Sequence, residues 1–284
     1  MPRPPINLNR KVREILAHVD PLPPEADTPL AHFNRSGTDL WNLLLYVERN
    51  FGQLSLQAAA VRRHMSRLHG MILVNLVETF ERFLKETGAA CVNHLARFVL
   101  DDRFNAFKVQ GSSLAAHFDT DTLGRSLCES ATWLDCDEVN DRFRRLLAEP
   151  FEGGNFLVFP KQPAAERERY ETLSIIWQLR HTIVHNVGVI TQSDAIKLRL
   201  LVRAAVPSLQ VLSPTRDDIR YLKRFLDETA ERSNRRIGER LAELLTAIHV
   251  SDPGLFVAQE IADAVTRTFG FVLTVAGAVG TLPP

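Results

Sequence analysis

One short stretch of the chain concentrates side chains that can do chemistry: Leu179-Arg180-His181-Thr182-Ile183-Val184-His185-Asn186-Val187-Gly188-Val189-Ile190. Histidine can move a proton near neutral pH. Arginine presents a planar fork of donors that grips phosphate oxygens and stabilises charge added in a transition state. Together they are the minimal set for breaking a phosphodiester without a metal. Arg180 and His185 lie about 140° apart around an ideal helix, so they converge only if the helix ends or bends between them. Val187-Gly188 places a stop just beyond them. A plainer reading stands beside this one: Arg180 favoured near a helix C-terminus by the dipole, and His185 capping a free carbonyl.

Other residues invite chemistry less strongly. His181 and His185, at i and i+4, share a helix face and could offer two metal ligands. No glutamate separates them in the His-Glu-x-x-His manner and no third ligand is near, so no metal and no cofactor are assigned. Arg62, Arg63, His64 and Arg67, with His69 beyond, form a basic cluster that reads either as a solvated face or as a phosphate-positioning patch. Arg142, Arg144 and Arg145 pose the same alternatives. Arg232, Arg235, Arg236 and Arg240 alternate with glutamates at helical pair spacing, as expected of an exposed or oligomerising helix. Glu78 and Glu81, flanking Phe80, are placed to pair with arginines of the bundle. Trp41, Trp133 and Trp177 fall at apolar positions and read as core.

The elements that must hold these residues are helical. The chain of 284 residues is 45% hydrophobic and 24% charged, which excludes wholesale disorder. Lysine plus arginine balance aspartate plus glutamate at 34 each, which argues against a polyanion binder relying on bulk positive charge. Cys91, Cys128 and Cys136 show no Cys-x-x-Cys spacing, as expected of a reduced, cytosolic protein, and Cys128 and Cys136 read as buried apolar residues. No segment reaches the ~20 apolar residues a membrane helix needs, and no membrane contact is expected. Residues 1–36 hold seven of the fifteen prolines and read as an irregular arm with one short helix at Arg10 to His18. Helical periodicity begins at Thr38 and resumes from Leu54 to Thr87, with Gly88 as a left-handed stop. A short helix over Ala89 to Leu100 and an irregular insertion at about 101–123 follow. Further helices are expected over Glu138 to Ala148, Ala164 to His185 and Ser193 to Ala205. Residues 150–163, with paired glycines and two prolines, read as a loop with room for an extended piece at Asn155 to Phe159. Ser213-Pro214 and Asp252-Pro253 read as N-cap and N1 pairs opening two final helices. The expectation is an all-α helical bundle over 37–212 with a helical extension over 213–284 packing on it.

Arg180-His181-Thr182-Ile183-Val184-His185-Asn186 resembles the signature of the HEPN superfamily: an arginine, a polar residue, three more residues, then histidine. Asn186-Val187-Gly188 is similar to its His-Asn-x-Gly continuation, and Leu73 to Lys85 resembles the family's early core helix. The resemblance covers roughly Leu54 to Ala205. It implies a helical bundle acting as a homodimer, with two motif copies facing each other across a composite site. It implies a metal-independent endoribonuclease in which His185 assists attack of a ribose 2′-hydroxyl and Arg180 holds the phosphate. His181 and Asn186 would support the site. The implied partners are RNA, a second copy, and an antitoxin or regulatory protein, as in toxin or anti-phage systems. Some members only bind RNA, a nucleotide or a protein.

Overall fold

The computed structural model describes residues 28–51, 58–96, 123–129, 132–147, 164–251 and 258–271, with the isolated positions Arg13, Ala17 and Phe107. Nearly all of them are helical. In chain order they form α1 (Pro29–Phe51), α2 (Ala58–Leu95), α3 (Leu123–Glu129), α4 (Cys136–Leu147), α5 (Ala164–Asn186), β1 (Val189–Ile190), α6 (Gln192–Val202), β2 (Gln210–Val211), α7 (Arg216–Ser251) and α8 (Ala258–Phe269). The all-α expectation holds, apart from an antiparallel two-stranded ribbon that pairs Val189 with Val211 and Ile190 with Gln210. Among the described residues, no helix is long and apolar enough to cross a membrane. The short helix expected at Arg10 to His18 apart from the isolated positions Arg13 and Ala17, the loop at 150–163, and the insertion apart from Phe107 and Leu123 lie outside the described residues.

Helix α2 is the axis of the fold, touching α1, α3, α4, α5, α7 and α8. Its buried stripe, with Ile72, Leu76, Phe80, Phe83 and Leu84, repeats every three or four residues. Phe33 of α1 meets Phe80 and Phe83, with ring centroids 5.9 and 5.8 Å apart. Leu226, Ile237 and Leu241 of α7 and Leu173, Ile176 and Trp177 of α5 complete the same core. The segment after 213 is thus joined to this core through α7. A second, small cluster of Ile190, Ala195 and Leu198 lies under the ribbon.

Three element boundaries differ from the sequence reading. Helix α1 starts at Pro29, inside the arm: the Thr28 hydroxyl accepts the Ala31 N–H at 3.2 Å, with proline at the first helical position. Gly88 does not end α2, which continues to Leu95. A Cβ at Gly88 would lie 2.5 Å from Trp133 Cη2, so the glycine admits an indole instead of reversing the chain. Helix α7 opens at Thr215, two residues after Ser213. The Asp218 N–H donates to Thr215 Oγ1 at 3.3 Å and the Thr215 N–H to Asp218 Oδ2 at 2.7 Å, a reciprocal cap. The Asp252-Pro253 signal lies outside the described residues.

Candidate functional site

Helix α5 carries the candidate residues. Leu173, Ile176 and Trp177 are buried and fix its inner face. The helix runs unbroken through His185 to Asn186. Val187 (φ 52°) and Gly188 (φ 80°) then take the left-handed conformation, and the Gly188 N–H donates to the Thr182 carbonyl at 3.1 Å. Thr182 itself is buried, its hydroxyl donating to the Gln178 carbonyl at 3.0 Å.

The stop comes after the motif, so Arg180 and His185 lie on different sides of one regular helix and do not converge within the chain. What converges is the histidine pair: the His181 and His185 rings meet at a tilt of 44° with centroids 4.5 Å apart. Both side chains are exposed, and neither makes a hydrogen bond among the described residues. Arg180 points to α2, where its Nη2 donates to Glu78 Oε1 at 3.0 Å, the arginine pairing expected of Glu78. Glu81 departs from that expectation: it pairs with Lys85 at 3.1 Å and accepts the Trp133 N–H at 3.2 Å. Arg180 Nε is buried without an acceptor.

Asn186 serves the scaffold. Its amide donates to Asp194 Oδ2 at 2.8 Å, and Gln178 Nε2 donates to Oδ1 at 2.9 Å. Asp194 also receives the Thr191 N–H and hydroxyl while its own N–H donates to Thr191 Oγ1, a reciprocal cap at the start of α6. Burial alone would raise the Asp194 carboxyl. The bonds from Thr191 and Asn186, with the nearby His181, outweigh it and hold the pKa below its ordinary 3.8. Asp194 was missed in the sequence, although Thr191-x-x-Asp194 has capping-box spacing.

A polar cleft of about 380 Å³ opens beside Arg180 and His181, walled by Thr132, Leu134, Asp135 and Cys136, by Tyr170, Ser174, Trp177 and Gln178 of α5, and by Lys197 of α6. The Tyr170 hydroxyl donates to Asp137 at 2.9 Å; burial and this bond push its pKa up and keep the phenol protonated. The basic cluster of α2 divides. Arg62, Arg63, His64 and Arg67 are exposed, while His69 is buried with Nδ1 at 2.9 Å from the Pro214 carbonyl and Nε2 at 2.9 Å from Glu48. Because a carbonyl only accepts, Nδ1 carries a proton there. Arg142 is stacked 4.9 Å from the Trp133 ring and bonded to Glu138, while Arg144 and Arg145 pair with Asp141, so these three arginines are committed to the fold. No group of three or more His, Cys, Asp or Glu side chains suited to a metal ion forms among the described residues. Compared with protein-family models, with curated proteins and with solved structures, the chain matches none of them.

Proposed function

We propose that this protein is a metal-independent endoribonuclease of HEPN type. The observation that carries the reading is the pair of exposed histidines, their tilted rings 4.5 Å apart beside an arginine and without a hydrogen bond among the described residues. Imidazoles held at the surface in this way are free to exchange protons with a substrate. In the proposed reaction His185 takes the proton of a ribose 2′-hydroxyl as the 2′-oxygen bonds to the adjacent phosphorus. The phosphorus–5′-oxygen bond breaks, the leaving oxygen takes a proton from solvent, and His185 returns its own proton to solvent afterwards. The products are a 2′,3′-cyclic phosphate and a 5′-hydroxyl. Arg180 holds the non-bridging oxygens, and His181 supports the neighbouring ring. With Arg180 and His185 on different sides of α5, the site is completed by a homodimer partner. A role as a toxin or anti-phage effector, with a regulatory partner, belongs to the same proposal.

A second reading is a non-catalytic HEPN-like module that binds RNA, a nucleotide or a protein; the Glu78 carboxylate on Arg180 favours it. Incubation of pure protein with RNA in EDTA separates the two. The enzyme reading expects cyclic-phosphate ends from wild type. It expects His185→Ala to lower the rate by about 10²–10⁴-fold, the usual worth of a positioned general base. Arg180→Ala should lose on the order of 10²-fold or more. RNA left intact by a folded, dimeric wild type would move the assignment to the binding module.

A further inference from the structure

We infer that the polar cleft beside Arg180 is a phosphate-binding subsite, in which Trp177 and Lys197 hold an RNA phosphate neighbouring the one that is cut. The argument is an account of which hydrogen-bonding groups in the cleft are already committed. Trp177 is 7% exposed, and its indole Nε1–H is buried with no acceptor. Arg180 Nε is likewise buried and unpartnered. Buried donors without acceptors are uncommon, because each costs the water it has given up. Here two of them belong to residues that line one cleft. The Lys197 ammonium, on the α6 wall, has no ion-pair partner among the described residues, and His181 is exposed nearby.

The acceptors around the cleft are partly engaged by the fold. Asp135 Oδ1 takes the Asp137 and Glu138 N–H groups at 2.9 and 3.0 Å. Asp137 takes the Tyr170 hydroxyl and Asp194 the Gln178 amide. Against the remaining Asp135 oxygen stand the unpartnered Trp177 and Arg180 donors and the Lys197 ammonium, a cationic excess. A cleft of that kind is complementary to a compact anion rich in acceptor oxygens, as a phosphate group is. That the phosphate belongs to RNA rests on the ribonuclease reading; the donor arrangement does not.

The test measures binding without turnover, using His185→Ala protein and a short 2′-O-methyl oligouridylate, with inorganic phosphate and uridine 3′-monophosphate as parallel probes. Lys197→Gln should weaken oligonucleotide binding about tenfold and flatten the slope of log affinity against log salt by about 0.7, as for one lost contact to a single strand. Trp177→Phe keeps an aromatic ring and deletes the N–H together with part of the indole, and should weaken binding by a similar factor. If that variant fails to fold, Lys197→Gln, at an exposed position, carries the test. Unchanged affinity and salt slope in the folded variants would overturn the subsite. So would a failure of all three probes to bind. Tight binding of the monophosphate with the same dependence on Lys197 would keep the phosphate site and overturn its assignment to RNA. The two proposals fail separately: binding that depends on Lys197 in a protein that never cuts RNA sinks only the ribonuclease. Cleavage whose KM ignores both substitutions sinks only the subsite.

Discussion

Asp194 shows how a single buried carboxylate can hold together the elements of a candidate site. It gathers donors from Gln178 and Asn186 on α5 and from Thr191 ahead of α6, and so ties the end of the helix that carries the histidines to the helix that carries Lys197. Asp194→Asn places an amide donor among groups that need an acceptor. It should cost about 2–3 kcal/mol, read as a lower urea midpoint. The pH dependence has a definite sign. The folded-state pKa lies below the ordinary 3.8, so the carboxylate's contribution is complete above that value and is lost as pH falls through the folded-state pKa. The stability gap between wild type and Asp194→Asn should therefore close in acid, which melting curves across the acid range would check. The sequence made the motif visible but not the duty of each member. Asn186 sits where a supporting site residue would, yet its partner is eight residues further on in another helix. Glu78 lies 102 residues from Arg180, a separation that no local spacing reports.

At the scale of elements, glycine had two possible meanings and the structure uses the less local one. Gly88 looks like a helix terminus, but Cys91, Val92 and Leu95 continue the buried face beyond it, and the missing side chain makes room for Trp133. Gly88→Ala gains about 1 kcal/mol of helix propensity and must then push back a buried indole, at a cost of about 1–3 kcal/mol. Net destabilisation is expected, with the loss relieved in the double variant Gly88→Ala/Trp133→Leu relative to Trp133→Leu alone; chemical denaturation of the four proteins checks it. Helical periodicity was legible because burial on one face imposes it. The starts of α1 and α7 were not, because Thr28 and Thr215 are recognised as caps only once their hydroxyls are seen to meet backbone N–H groups.

For the whole molecule, the class of fold was readable from composition and periodicity, whereas the way distant segments close on one another was not. His69 joins α2 to Glu48 of α1 and to the Pro214 carbonyl ahead of α7. Asn234 of α7 donates to the Phe269 carbonyl at 2.9 Å, and His94 of α2 meets the Thr268 hydroxyl at 2.8 Å, holding α8 in place. If the composite-site proposal holds, light scattering should give about twice the 32.0 kDa chain mass at working concentrations, and dilution to monomer should abolish cleavage. A dimer of that kind would be a property of the surface, outside what a core pattern reveals.

The three cysteines, unpaired and buried on α2, α3 and α4, give the protein a built-in reporter of its own opening. Burial pushes the Cys128 thiol up to about 12 and the Cys91 and Cys136 thiols well above their ordinary range, so thiolate is scarce while the bundle is closed. Alkylation by iodoacetamide should then proceed only through rare unfolding, at a rate set by the equilibrium between closed and open forms. A labelling time course read by mass would time the breathing of this one core, and substitutions that loosen α2 should speed all three sites together.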